Sequence, residues 1–509
     1  MIRERWRELI VPAALFATAL LLAVPAALGP VRLNDSFWID LVWLDQFARE
    51  LGHGVLYPRW LPLSHDGLGS PVFYYYPPLA FYLAAAFAVV GAGTYLALVA
   101  TFAAANLISG AGAYLWFKDQ SERPLAGALL FMIAPYHLFN FYLRGAIAEF
   151  VATATLPFVL WGIRQIILGR PRASGWTALA YAALVMSHLP LALLASLFLF
   201  APYALANTGR SPALLARIGG ALAVGVAVSA IYLVPALALE PYRSASDLWS
   251  QTYLQPATWS IWSAHAWSNQ TFRAVLLISA ALAIPAVALL LLHRSAWAVC
   301  AVLCLVIGIG AVPLIWSLPV LRMVQFPFRL LPIAEVALVT GVMLAPKDRV
   351  PWLMLWVTFL LAAGFIVGAT PESAPSGDRV LRQFHPDVPE NLPPGQRPYS
   401  WPSKWALQLA KTHREPQFDG TTTVEPVFYF PAWQVRCGGR AVPTSPDPQT
   451  KLLTYRGREC SRSLIMTAPE KVGAVISLLA LLALVSLLFS PWLLERRRSL
   501  RRESPLRNT

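Results

Sequence analysis

Charge is the scarcest property of this chain. Only 13% of its 509 residues are Asp, Glu, Lys or Arg, while 57% are hydrophobic. A soluble domain carries about 25% charged residues, so a soluble globular protein is excluded. Familiar catalytic signatures are also missing. There is no GxxxxGK[ST] loop, no GxSxG elbow and no HExxH pair, and nothing suggests ATP-driven transport. Cysteine is limited to four residues. Cys300 and Cys304 stand one helical turn apart in an apolar run and read as packing residues, since two ligands make a poor zinc site. Cys437 and Cys460 share the one large polar region, and a disulfide between them fits if that region lies outside the cytoplasm. No solenoid-type repeat is present.

Long apolar runs are abundant. They fall at 10–29, 72–92, 95–117, 124–141, 146–168, 175–206, 214–238, 273–293, 296–316, 328–346, 351–369 and 472–494. Runs near 20 residues cross about 30 Å of hydrocarbon. They are continuous rather than alternating, which predicts helices and not a barrel. The expected fold class is an all-α polytopic membrane protein of about eleven to thirteen transmembrane helices. The 175–206 run contains Ser187-His188-Leu189-Pro190 and reads either as one helix or as two meeting there.

The net charge of +14 would raise nucleic acid for a soluble protein. Here it follows the bias of Lys and Arg toward cytoplasmic loops, and no nucleic-acid partner is expected. Arg3, Arg5 and Arg7 precede the first run, and Arg496, Arg497, Arg498, Arg501 and Arg502 follow the last. Both termini are expected in the cytoplasm, with the first run a retained span rather than a signal peptide. The loops 30–71, 239–272, 317–327 and 370–471 then fall outside, although Lys118–Arg123 conflicts with a simple count. The expected organisation is a transmembrane domain over 1–369 with its first outer loop at 30–71, and a small β-rich periplasmic domain over 370–471. A final transmembrane helix at 472–494 and a basic cytoplasmic tail at 495–509 follow. Within the polar region, 421–430, 452–455 and 462–467 read as strands.

Candidate chemistry concentrates in the first outer loop and at span ends. Asp35, Asp40 and Asp45 lie in that loop, and Phe37–Leu51 reads as an amphipathic interfacial helix. Asp45 and Glu50 read as solvating acids. For Asp35, catalysis and an N-cap role stay equally open. Arg59, Arg144 and Arg329 each sit among aromatics. Arginine's planar fork matches phosphate, although each alone also suits an interface anchor. With His188 they compose a candidate lipid-phosphate site. Tyr57, Trp60, Tyr75, Tyr76, His137, Tyr142, Glu149 and Gln325 are candidate pocket residues around it.

The order of these motifs resembles a family. An acid after the first span, Gly54–Trp60, Gly67–Phe73 and the Tyr-Tyr-Pro-Pro-Leu opening of the second span are similar to bacterial membrane proteins labelled 6-pyruvoyl-tetrahydropterin-synthase-related. Pro135–Glu149, Ser187–Pro190, Gln325–Arg329 and Val427–Val435 continue the resemblance across nearly the whole chain. No tetrahydropterin chemistry is implied. These proteins are similar to the GT-C superfamily of integral-membrane glycosyltransferases. The resemblance implies a GT-C-like fold, an outward-facing site in the bacterial inner membrane, and a polyprenyl-phosphate-linked sugar donor. The acceptor would be a periplasmic glycan, lipid or protein, and membrane lipids would be partners. It implies Asp35 as the catalytic base, with Asp40 as the alternative. The histidine that many relatives carry just after the acid is replaced here by Ile39 and Asp40. Single displacement would invert the anomeric centre, and a phosphate monoester leaving group requires no metal or other cofactor. The competing classes are a flippase or transporter of lipid-linked saccharide, and a non-catalytic envelope-assembly scaffold.

Overall fold

In a computed structural model of the chain, the described residues are 2–28, 36–244, 251–345, 349–368, 387–395 and 403–503. Asp35, a leading candidate base, lies outside them. Among the described residues nine helices are long and apolar enough to cross a membrane: Leu9–Leu28, Thr94–Lys118, Pro124–Arg144, Ile147–Ile167, Leu189–Asn207, Gln270–His293, Pro327–Leu344, Pro351–Gly368 and Ala468–Phe489. A tenth is formed if Pro212–Val228 and Ala230–Ala238, bent by 67°, count as one broken span. The sequence count ran higher because it included Leu79–Val89, Ala173–Ser187 and Ala296–Gly308. These are helical but too short for a straight crossing of about 30 Å. The chain is a helical, polytopic membrane protein.

His188 divides the long 175–206 run. Its backbone is extended, and its ring accepts the Leu191 amide and so caps the helix that starts at Leu189. Pro190, in the first turn, has no amide that needs a partner there. The apolar core is continuous through the spans, and Thr94–Lys118 packs closely with Ile147–Ile167.

The first loop departs from expectation. Its helix, Ser36–Gly52, is buried at every position from Ile39 to Phe47. Aromatics explain this. Trp43 and Phe47 meet Phe73, Tyr76, Phe81 and Tyr82, and edge-to-face aromatic pairs bury large areas. Asp45, expected to solvate a surface helix, is buried and paired with Arg49 at 2.9 Å.

The polar region folds into two small antiparallel sheets. The strands are β1 (Gln417–Phe418), β2 (Thr422–Phe428), β3 (Trp433–Cys437), β4 (Arg440–Val442), β5 (Thr444–Pro446), β6 (Leu452–Arg456) and β7 (Ser461–Leu464). Their order is β1-β2-β6-β5 and β4-β3-β7. Val424 pairs with Thr454, and the register shifts before Phe428 pairs with Leu452. Pro426, which has no amide to donate, sits in the shift. Cys437 and Cys460 are disulfide-bonded.

These sheets rest on the first loop. The Phe428 amide donates to the Leu68 carbonyl at 2.8 Å. Trp60 packs against Phe430 and Trp433, and Tyr74 against Phe430. Gly69 has φ of +78°, and a Cβ there would collide with the Trp60 ring. From the sheets the chain enters the last helix through a capping box. Thr467 donates its amide to Glu470 Oε2 at 2.7 Å, and the Glu470 amide returns to Thr467 Oγ1.

Candidate functional site

A polar cluster is buried where Pro135–Glu149, the first-loop helix and the Gln325–Arg329 segment meet. The local backbone shapes it. Asn140–Arg144 is one turn of π-helix, a widening that recurs at functional sites. It ends at Gly145, in the left-handed region at φ +63°. A Cβ at Gly145 would strike Phe37, so only glycine lets the first-loop helix come this close. That approach brings Asp40 to the Ile147 amide, which donates to Asp40 Oδ2 at 3.4 Å.

Glu149 is the centre of the cluster. Oε1 accepts the Tyr136 hydroxyl at 2.8 Å and Asn140 Nδ2 at 3.2 Å. Oε2 meets Arg144 Nη1 at 2.9 Å and Arg329 Nε at 3.4 Å. Arg144 Nη1 also bonds Asn140 Oδ1 at 2.9 Å. Phe326 and Phe328 lie against the guanidinium groups. A buried carboxylate needs such a saturated set of partners to keep its charge. Glu149 is therefore fully engaged and holds the arginines in place.

Other groups in the cluster keep bonding capacity. Arg329 spends Nη1 on the Val324 carbonyl and on Gln325 Oε1. Its Nε, 3.4 Å from Glu149 as an ion pair, makes no hydrogen bond among the described residues. His188 accepts the Leu191 amide at Nδ1, 3.2 Å away, so the neutral ring carries its proton on Nε2. That N–H has no hydrogen-bond partner among the described residues, and the ring lies within electrostatic reach of Glu149, Arg329 and Arg144. Asp40 Oδ1 is buried without a hydrogen-bond partner among the described residues. Burial pushes the Asp40 carboxyl well above the usual carboxylate range, against the pull of the Ile147 amide and Arg144. Tyr76 is within electrostatic reach of Asp40, Arg329 and Glu149. The cluster thus combines unpartnered donors on Arg329 and His188 with one unpartnered carboxyl oxygen on Asp40.

Several residues predicted from sequence are engaged elsewhere. Arg59, expected at a phosphate, pairs through Nε with Glu470 at 3.0 Å and through Nη2 with the Ile231 carbonyl at 2.9 Å. Its guanidinium lies 3.7 Å from the centre of the Tyr57 ring. Arg59 and Tyr57 form a clamp between the first loop and the last helix. Trp60 serves the sheet contact. Tyr75 donates to the Leu239 carbonyl at 2.6 Å, and Tyr142 donates to the Leu22 carbonyl of the first span. His137 is a core histidine. Its ring packs on Phe150 with centroids 4.1 Å apart, and neither nitrogen has a hydrogen-bond partner among the described residues.

Sequence reasoning missed Tyr136, Asn140, Glu335 and Asp387. Tyr136 and Asn140 lie inside Pro135–Glu149, and polar residues within an apolar run were the available signal. Glu335 accepts the Tyr136 amide from another span. Asp387 accepts Trp43 Nε1 at 2.9 Å, and its Oδ2 lies 4.0 Å from His65 Nε2. No local pattern links residues 344 positions apart. Among the described residues, no three His, Cys, Asp or Glu side chains converge as metal ligands.

Comparison with known proteins adds the family. The 6-pyruvoyl-tetrahydropterin synthase related domain, described as a membrane protein, matches residues 73–376. No curated protein sequence matches the chain. Among solved structures, arabinofuranosyltransferase AftD from Mycobacteria is similar at 17% identity and a TM-score of 0.44, covering 72% of this chain and 26% of that one. Its R1389S mutant gives a TM-score of 0.45 at 17% identity, covering 72% of this chain and 28% of that one. The oligosaccharyltransferase of Archaeoglobus fulgidus is similar at 14% identity and a TM-score of 0.37, covering 77% of this chain and 59% of that one. The chain spans only about a quarter of the length of AftD. The family match covers more than half of the 509 residues: the chain belongs to the family of membrane proteins that carry the 6-pyruvoyl-tetrahydropterin synthase related domain.

Proposed function

We propose that this protein is an inverting glycosyltransferase of the bacterial inner membrane. It moves a sugar from a polyprenyl phosphate to a hydroxyl of a periplasmic glycan, lipid or protein. The observation that carries this reading is one buried cluster that holds Arg329, His188 and Asp40, with Arg329 Nε, His188 Nε2–H and Asp40 Oδ1 without hydrogen-bond partners among the described residues. Two donors suit a phosphate, and an unpartnered carboxyl oxygen suits a proton acceptor. Glu149 fixes both arginines, so their positive field exists before the substrate arrives.

The steps follow from these groups. A first-loop carboxylate takes the proton of the acceptor hydroxyl. The acceptor oxygen attacks the anomeric carbon from the face opposite the phosphate. The carbon–oxygen bond to the phosphate breaks, and its electrons leave on the phosphate. Arg329 and His188 hold that growing charge. Burial raises the Asp40 carboxyl, the direction that makes it a better base near neutral pH. Asp35 is the other candidate for the role.

One observation favours a lipid-linked saccharide transporter instead. The 67° break between Pro212–Val228 and Ala230–Ala238 is the kind of interrupted helix that transporters use. A single experiment separates the two readings. The protein in nanodiscs is incubated with radiolabelled polyprenyl-phosphate sugars and candidate acceptors, beside Asp40→Asn and Asp35→Asn. Sugar transfer falls by about 10²-fold or more in the variant that lacks the base. Equal turnover in all three proteins sinks the assignment. Saturable binding with no transfer, unchanged in both variants, selects the transporter.

A further inference from the structure

The chain reverses at Gln325 in a conformation that side chains rarely adopt. Its φ is 69° and its ψ is −57°. The Phe326 amide donates to the Val324 carbonyl, two residues back, at 2.8 Å. This is a γ-turn of the rare, positive-φ hand. A residue other than glycine holds such a backbone only where its surroundings over-determine it, and such sites cluster at functional centres.

Arg329 is the over-determining group. Its Nη1 donates to the Val324 carbonyl, the same oxygen that closes the turn. The same nitrogen bonds Gln325 Oε1 at 3.3 Å. The guanidinium carbon lies 4.8 Å from the centre of the Phe326 ring, and Nε meets Glu149 at 3.4 Å. The guanidinium is therefore held by Nη1 and by the Phe326 ring, while Nε makes no hydrogen bond among the described residues. On its other side the turn follows Leu321–Val324, whose Arg322 lines a cavity of about 670 Å³ together with Trp316, Ser317 and Ser260. Gln325 thus joins the wall of a cavity to the arginine of the buried cluster.

We propose that Gln325 is a positioning residue that sets the Arg329 guanidinium for the anionic group of the substrate. The turn swings the Val324 carbonyl toward the guanidinium, and the amide side chain adds the second acceptor on the same nitrogen. Without both, Arg329 is free to rotate and turn a second nitrogen toward Glu149. Glycine would accept the turn more readily but lacks the amide oxygen. Selection of glutamine over glycine therefore points to the side-chain bond. The proposal rests on the reading of Arg329 as the phosphate contact.

The test uses polyprenyl phosphate without a sugar as the probe. The protein is held in nanodiscs, and binding is read by native mass spectrometry beside a thermal melt. The variants are Gln325→Gly, Gln325→Asn, Gln325→Glu and Arg329→Gln. Gln325→Gly and Gln325→Asn, which tolerate positive φ, keep the wild-type melting temperature and weaken binding about tenfold, the factor for one charge-assisted bond. Gln325→Glu keeps the reach but places a carboxylate on Arg329, and weakens binding further. A purely structural role would move the melt and not the affinity. Wild-type affinity in Gln325→Gly and Gln325→Asn, with binding lost in Arg329→Gln, overturns the positioning role and leaves the phosphate contact standing. Wild-type affinity in Arg329→Gln overturns the phosphate contact, and the positioning role with it.

Discussion

At the scale of single residues, Glu149 shows how the same side chain can be indispensable without being the reactive group. All its bonding capacity is spent on Tyr136, Asn140, Arg144 and Arg329. Glu149→Gln keeps the shape and removes the charge. It removes the carboxylate that pairs with both buried guanidinium groups, a change that costs about 3–5 kcal/mol in comparable buried pairs. Denaturation of the detergent-solubilised variant should show that loss, with sugar transfer abolished as well. The candidate residues were legible as types: arginines, an acid and a histidine beside aromatics at span ends. Their roles were not. Arg59 and Arg329 sit in similar aromatic settings in sequence, yet one is paired with Glu470 and the other with Glu149, its Nε making no hydrogen bond among the described residues. Only the identity of the partner across the fold separates them.

At the scale of elements, the first-loop helix and the π-turn are made for one another. Gly145 gives Phe37 room, and Phe37 stands three residues before Asp40 on the same helix. Gly145→Ala adds a methyl group to that contact and also strains φ of +63°. The two elements must separate, at a cost of about 1–3 kcal/mol for overpacking alone. The expected result is a lower melting temperature together with loss of transfer, because Asp40 moves away from the Ile147 amide. Phe37→Ala made together with Gly145→Ala should not restore the melt, because the nearest atom, the Phe37 Cβ, remains in alanine; a wild-type melt in Gly145→Ala alone would refute the contact. The helix itself was readable from its apolar spacing. Its depth was not, because an amphipathic pattern describes a helix on a lipid surface and one packed under an aromatic layer equally well.

At the scale of the whole molecule, the polar region and the first loop are joined by buried titratable groups. Burial pushes the Asp387 carboxyl up to about 6 and Glu390 up to about 7. It pushes His65, which faces Asp387, down to about 3. A carboxyl raised on folding adds stability that is fully present below its ordinary value near 3.9 and is lost as pH rises through 6. His65 acts in the opposite sense, costing stability as pH falls below about 6.5. Asp387→Asn isolates the first effect, since asparagine still accepts the Trp43 and Val388 N–H groups. The variant should melt higher than wild type at pH 7.5, by up to about 3 kcal/mol. The advantage should vanish by pH 4. A difference between the two proteins that does not change with pH would show that Asp387 carries no buried charge.

By itself the sequence determined that this is a helical membrane protein with a small β-rich region, because apolar run length and scarcity of charge answer directly to the bilayer. It placed strands over 421–430 and 452–455 close to β2 and β6, since β-branched and aromatic residues bounded by Gly and Pro are local signals. It also marked the segments that meet at the candidate site. Tertiary structure decided which arginine pairs with which acid, that the first-loop helix is buried, and that Asp387 reaches Trp43. These are contacts between residues far apart in the chain, and they depend on close approach and on desolvation. Neither quantity is carried by residue type or spacing.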